Sequence, residues 1–206
     1  NYLHRPLADE YLEMIWACMK YHWPILQRES TTGRTRVSCD VDQPYASHVR
    51  CWQHTLRKMG GDIFKRHSIS EFKATLKNKI ATHKGDYRYE PNDTFDWIMK
   101  VNEKAGNKVA FYFQAGHTVP SRDGFYSINE PRIRALLRRI HERGHEIGLH
   151  PSYGTYQNGL QLNEEADRLR DLLLEEQIFH KNIGSRQHYL RWDMVKTAGF
   201  LESAKI

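Results

Sequence analysis

The sequence predicts an α/β fold in which parallel strands are covered by helices, closed into a barrel or half-barrel. Three observations lead there. Helix-period and strand-period segments alternate along the chain at βα spacing. The residues with chemical potential all fall at the ends of strands, where parallel α/β folds keep their sites. The third is that no Gly-x-Gly-x-x-Gly phosphate loop is present, which favours a barrel over an open doubly wound sheet.

In chain order, residues 8–22 place Tyr11, Leu12, Ile15, Cys18 and Met19 at helical spacing, and Pro24 ends that helix. Thr31-Thr32-Gly33 makes a turn into a strand from Thr35 to Val41, stopped by Pro44. Ser47 is positioned to cap a helix that runs to Met59 and halts at Gly60-Gly61, and Ser70 opens another to about Ala81. After a polar loop from His83 to Asn92, Asp93 or Thr94 caps a helix through Phe95, Ile98, Met99 and Val101, terminated by Gly106. Val109 to Phe113 is a buried strand. Pro131 stands at the first position of a helix carrying Ile133, Leu136, Leu137 and Ile140, ended by Gly144. His145 to His150 forms the third strand, Glu164 to Gln177 an amphipathic helix, Ser185 to Trp192 a fourth strand, and Val195 to Ser203 a last helix.

The chain of 206 residues is long enough for one well-buried domain. An apolar content of 39% excludes a disordered chain, and no run approaches the roughly 20 apolar residues of a membrane span. No secretory signal is visible, so the cytoplasm is the default location. Cys18, Cys39 and Cys51 are too few and too scattered for a disulfide framework or a Cys-x-x-Cys zinc site. The charge of +6 suits an anionic polymer or glycolipid surface. Nucleic acid is not the expected partner, because the basic residues Arg132, Arg134, Arg138, Arg139 and Arg143 lie along a helix-like segment rather than among aromatics.

Chemistry concentrates in two distant stretches. In Val37-Ser38-Cys39-Asp40-Val41-Asp42, the period of two sends both aspartates to one face, so both can enter one pocket. Cys39 points the other way and reads as core. In Gly144-His145-Glu146-Ile147-Gly148-Leu149-His150, the same period puts Glu146, Gly148 and His150 on one face and Ile147 and Leu149 on the other. One carboxylate can bind a metal while its neighbour takes a proton from water, and His150 can add a neutral imidazole to the same ion. The bland readings are a solvated pair of strand-end aspartates and a lone histidine. His141 and His145 flank a helix end and are expected to serve its C-terminus or face solvent. Tyr87-Arg88-Tyr89, Tyr153 and Tyr156 have the shape to stack on a sugar, against the plainer reading of incidental loop tyrosines.

Taken together, Val37 to Asp42, Gly144 to His150 and Arg186-Gln187-His188-Tyr189 resemble the first three motifs of the polysaccharide deacetylases, the NodB-homology carbohydrate esterase type, in order and spacing. Phe111-Tyr112-Phe113 resembles the aromatic strand between the first two. The resemblance covers about residues 34–206, leaving residues 1–33 as an added N-terminal helical segment. It implies a distorted (β/α) barrel with a divalent metal, zinc first among them. Asp40 matches the catalytic base, Asp42 and His150 metal ligands, Arg186 the arginine paired with the base, and Tyr189 the residue whose backbone N–H helps hold the oxyanion. The implied activity is metal-dependent removal of acetyl groups from N-acetylated sugars of a surface polysaccharide or glycolipid precursor.

Three departures qualify the match. The family's second histidine ligand lies four residues after the first, where this chain has Gly154. His188 replaces the family's proline and shares a face with Arg186; it either completes the ligand set or packs against the pocket wall. His117 is a lesser candidate. The chain also stops at Ile206, before the family's remaining motifs and its general acid, as a fragment or a shortened relative would. The alternative function is therefore a catalytically degenerate carbohydrate-binding domain on the same fold.

Overall fold

A computed structural model describes residues 4–29, 33, 35–46, 49, 51–180 and 182–206. The chain divides into two compact units, residues 1–35 and residues 36–206. The first is built on helix α1 (Leu7–His22). Its apolar stripe is not a core: no residue of α1 is buried, and Tyr11, Leu12 and Ile15 are more than half exposed.

The second unit is built on three parallel strands, β1 (Val37–Val41), β2 (Val109–Phe113) and β3 (Glu146–Leu149), in the order β1-β2-β3. The helices α2 (Trp52–Phe64), α3 (Ile69–His83) and α4 (Phe95–Lys104) connect β1 to β2, and α5 (Pro131–Glu142) connects β2 to β3. α6 (Gly159–Glu175) and α7 (Thr197–Ser203) follow. The pairing register aligns Cys39, Phe111 and Ile147 in one row and Val41, Phe113 and Leu149 in another. Those rows meet Met99, Ile133, Leu137, Ile140, Leu162 and Leu169 in the core. The alternate row, Asp40, Tyr112 and Gly148, lies on the opposite face, as a period of two requires.

Several expectations are corrected. Three strands among the described residues do not close a barrel. The segment expected to be a fourth strand makes one parallel bridge, Leu149 with Ser185, and then turns into a 3-10 helix at His188–Leu190. Tyr189 and Leu190 have φ of 55° and 53°, left-handed values that end any extended run. β1 begins at Val37 rather than Thr35. α2 passes through Gly60-Gly61 instead of stopping there. Each glycine costs about 1 kcal/mol in a helix interior, but the next residue, Asp62, is fully buried and accepts bonds from Lys58 (3.0 Å), Arg66 (2.5 Å) and Thr75 of α3 (2.9 Å). That network fastens the last turn of α2 to α3. Ser47, the expected cap, lies outside the described residues.

Two caps also move. α3 is capped by Ser68, whose Oγ accepts the Glu71 N–H (3.2 Å), not by Ser70. α6 starts at Gly159, not Glu164, because the Asn158 side chain accepts the Gln161 N–H at 3.2 Å. Elsewhere the match is close: β2 has the expected bounds, and Pro131 opens α5. Among the described residues, no helix is long and apolar enough to cross a membrane.

Candidate metal centre

The site lies at the C-terminal ends of the strands. Residues one step beyond the paired rows, Asp42, Gln114 and His150, continue the register, and the His150 N–H still bonds the Phe113 carbonyl at 2.8 Å. Tyr126, fully buried, ties two of these tips together: its hydroxyl donates to the Val41 carbonyl (2.8 Å) and accepts the Gln114 N–H (2.7 Å). β1 and β3 are separated by β2, a backbone distance of roughly 10 Å. Their side chains nevertheless meet above it, with His150 Nε2 3.3 Å from Asp42 Oδ1.

His188 joins them, its Nε2 3.7 Å from the same oxygen. Donor atoms of Asp42, His150 and His188 lie within 4.8 Å of one another and could hold a metal ion. An ion bound tetrahedrally at ordinary zinc distances would separate its ligand atoms by about 3.3 Å. The Asp42–His150 spacing meets this, the Asp42–His188 spacing comes within about 0.4 Å of it, and the two imidazole nitrogens lie within 4.8 Å of each other. His150 Nδ1 lies 2.6 Å from the Arg186 carbonyl, which can only accept, so that nitrogen carries the proton and Nε2 is left with its lone pair. His188 Nδ1 lies 3.1 Å from Asp123 Oδ1 and 3.2 Å from the Gln114 amide nitrogen; with its proton on Nδ1 it makes the carboxylate–histidine pairing that orients metal-bound imidazoles. Its pocket-wall alternative gives way to a place in the cluster.

The electrostatics follow from these contacts. The His150 bond holds the Asp42 carboxyl below the usual range despite partial burial. Burial pulls the His150 pKa down, but Asp42 and the Arg186 carbonyl outweigh it and the net direction is up. Burial and the neighbouring His150 push His188 down, toward the neutral form that a ligand needs.

Asp40 lies one row back, with Oδ2 3.3 Å from Arg186 Nε. Arg186 is held in turn by Nη1 donating to Ser38 at 3.0 Å. Asp40 Oδ1 is buried and has no hydrogen-bond partner, an orphan acceptor such as an active site leaves for a ligand. The Tyr189 N–H makes no hydrogen bond to the described residues, while its ring packs 4.9 Å from that of His188.

Other expectations separate from the site. His117 Nε2 donates to the Tyr126 carbonyl at 2.9 Å and takes no part in the cluster. Cys39 packs against the core, and burial raises its thiol pKa, the opposite of an activated nucleophile. His145 is buried rather than exposed or capping. Gly154, at the position where the resemblance implies a second histidine, donates its N–H to Thr118 Oγ1 at 2.7 Å; a Cβ there would sit 3.1 Å from that oxygen. A side chain at 154 would press on Thr118, and His188 supplies the third donor instead.

Two residues were not expected. Asp123 accepts from the Thr118, Val119 and Tyr153 N–H groups, each at 2.7 Å, as well as holding His188. Gln114 accepts the Gly124 N–H at 2.6 Å, which turns its amide nitrogen toward Asp42. A Cβ on Gly124 would fall 2.4 Å from the Asp42 carbonyl, so the turn needs glycine there. In sequence, Asp123-Gly124 carries only a turn signal.

The fold and site together define a class: an α/β protein with a small parallel sheet and an aspartate–histidine–histidine cluster, able to hold a metal ion, at the strand ends. Compared with family models, curated proteins and solved structures, the chain shows no significant match.

Proposed function

We propose that this chain is a metal-dependent hydrolase that removes acetyl groups from the N-acetylated sugars of a surface polysaccharide or its glycolipid precursor. Its three strands then belong to a distorted (β/α) barrel of the polysaccharide deacetylase type. The observation that carries the reading is the convergence of Asp42, His150 and His188, each imidazole anchored through Nδ1 with Nε2 turned to one carboxylate oxygen, beside an aspartate with an unpartnered oxygen. Asp42, His150 and His188 would hold the ion. An N/O donor set of three protein ligands with an open position suits zinc. When bound, the ion supplies Lewis acidity, polarising the acetyl carbonyl and acidifying water.

The chain's own groups do the rest. Asp40, oriented by Arg186, accepts the proton of the attacking water at Oδ1. The Tyr189 N–H, which no described residue accepts, would donate to the oxyanion as the carbonyl carbon becomes tetrahedral. Gln114 and Asp123 keep Asp42 and His188 in place. Gly154 favours the second reading, a degenerate carbohydrate-binding domain, and the position of His188 weighs against it.

The test is metal analysis of the purified protein together with acetate release. Zinc is expected near one equivalent. Asp40→Asn should abolish acetate release, a loss of about 10²–10⁴-fold, with zinc content nearly unchanged, and Asp42→Asn should lower zinc content. Turnover retained in Asp40→Asn would remove the base assignment. A site that stays empty at neutral pH with added zinc would favour the binding domain.

A further inference from the structure

We propose that the mouth of this centre is a subsite for an acidic sugar: the exposed Tyr189 ring takes a sugar face, and the Arg122 and Arg191 guanidinium groups, gathered about Tyr153, take an anionic substituent. This rests on the reading of the centre as a sugar deacetylase and narrows its substrate to N-acetylated glycans carrying a phosphate or a uronate next to the acylated residue.

The rings abut the metal cluster. Tyr189 lies 4.9 Å from the His188 ring, and Tyr153 stands edge-on to Tyr189 at 5.5 Å and 6.2 Å from His188. Tyr189 is 60% exposed although it sits against a buried histidine, and it reaches that place through the left-handed backbone at residues 189 and 190. Two consecutive side-chain-bearing residues in that region are costly, and such cost gathers where a structure displays a functional group. The Tyr153 N–H donates to Asp123 Oδ1, the atom that also holds His188. The ring that carries the arginines and the ligand histidine therefore share one anchor, which fixes the subsite relative to the centre.

The arginines supply charge without local repayment. The Arg122 guanidinium lies 5.8 Å and 5.7 Å from the Tyr153 and Tyr189 centroids, and that of Arg191 lies 4.0 Å over Tyr153 and 3.8 Å over Tyr156. Arg191 spends N–H groups on the Tyr153 carbonyl (3.1 Å) and the Tyr156 hydroxyl (2.5 Å). Stacking on a ring uses no donor, and a guanidinium has five, so both groups keep N–H edges for an anion. Among the described residues, no carboxylate lies within ion-pair distance of either arginine, whereas Arg134, Arg138, Arg139 and Arg143 are all paired. The acids of the site are turned to partners within it. Asp40 faces Arg186, Asp123 is surrounded by N–H donors, and Asp42 faces the two imidazoles.

The experiment is calorimetric titration of the full chain with two matched pairs of probes. One pair is N-acetylglucosamine 1-phosphate against N-acetylglucosamine; the other is a hyaluronan disaccharide against di-N-acetylchitobiose. At low salt the charged member of at least one pair should bind about tenfold tighter. Preference in the first pair identifies phosphate, and in the second uronate. Arg122→Gln and Arg191→Gln should each erase it. Arg191 also braces the Tyr153 loop, so Arg122→Gln, at an exposed position, decides the matter if Arg191→Gln fails to fold. Equal affinities within both pairs, or a preference that survives Arg122→Gln, would overturn the subsite. Binding is read apart from zinc content and acetate release. A protein without zinc or turnover that still prefers the charged sugars keeps the subsite and loses the deacetylase reading, and the reverse result loses only the subsite.

Discussion

Two buried histidines stand at the two ends of β3, and their rings are used in opposite ways. His145, just before the strand, is 2% exposed; His150, just after it, is 1% exposed. At His145 both nitrogens are committed within the chain: Nδ1 accepts the Val109 N–H at 3.1 Å and Nε2 faces Glu103 at 3.2 Å. The ring is a strut between α4 and the start of β2. At His150 Nδ1 is committed to the Arg186 carbonyl and Nε2 faces Asp42 at 3.3 Å, but that carboxylate is faced by a second imidazole, His188, as well. Burial does not tell a structural histidine from a ligand. What tells them apart is the company at the far nitrogen: Glu103, beside His145, is tied to Arg143, whereas Asp42, beside His150, gathers a second imidazole that could share an ion.

Exchanging the two ends is the strongest way to break this contrast. His150→Ala should reduce zinc affinity by more than about 100-fold, beyond the effect of losing an outer partner, while the melting curve of the metal-free protein moves far less. His145→Ala should leave zinc content unchanged and cost about 2–3 kcal/mol of stability, because the Val109 N–H is left buried without an acceptor. Zinc titration and denaturant unfolding of both variants measure this directly. Should His145→Ala lose zinc as readily as His150→Ala, the contrast between the ends is false.

A smaller effect sharpens it. Asp123 closes the second valence of His188 from outside the ligand set. Asp123→Asn should lower zinc affinity by about 10–100-fold, the cost of a disturbed outer partner rather than a lost ligand. Equal losses for Asp123→Asn and His188→Ala would mean that Asp123 acts by holding the loop rather than the ring.

The sequence speaks clearly where local pattern and tertiary packing agree. β2 alternates Val109, Phe111 and Phe113 with Ala110 and Tyr112, and its bounds are legible to the residue. Pro131 marks the start of α5 because a first helical position needs no N–H. Asp40, Asp42 and His150 are legible because a period of two fixes their face, and Arg186 by its likeness to a motif, whereas His188 stands where the chain departs from that motif. Legibility fails where distant contacts decide. Nothing local says that α2 continues through Gly60-Gly61, since the network holding it includes Thr75 on another helix. Ser185 to Trp192 has the composition of a strand, and only the packing of Tyr189 on His188 and Tyr153 shows why it turns. His145 was misread for the same reason: its acceptor role depends on Val109, 36 residues earlier. Asp123 hides as a turn residue because its partner His188 lies 65 residues on.

The gentlest test separates the two ends of β3 by pH alone. His150 has its pKa raised above the ordinary 6.5, burial being outweighed by Asp42 and the Arg186 carbonyl. Binding zinc requires the unprotonated ring, so zinc affinity should weaken progressively as pH falls below that raised value. At the other end, the Glu103 carboxyl is held below its ordinary 4.5, chiefly by the Arg143 hydrogen bond with His145 adding to it. A depressed carboxyl contributes stability that is complete above its unfolded value and is lost only as pH falls through the folded one. The contribution is small, since Glu103 is on the surface and solvent screens it, so Glu103→Gln should barely move the melting temperature at neutral pH. Between the two windows, near pH 5, the chain should therefore stay folded with its zinc released. Dialysis followed by metal analysis and circular dichroism across pH 4–8 measures both. Simultaneous loss of zinc and of helical signal would show that the metal end and the strut end are one structural unit rather than an open site resting on a closed one.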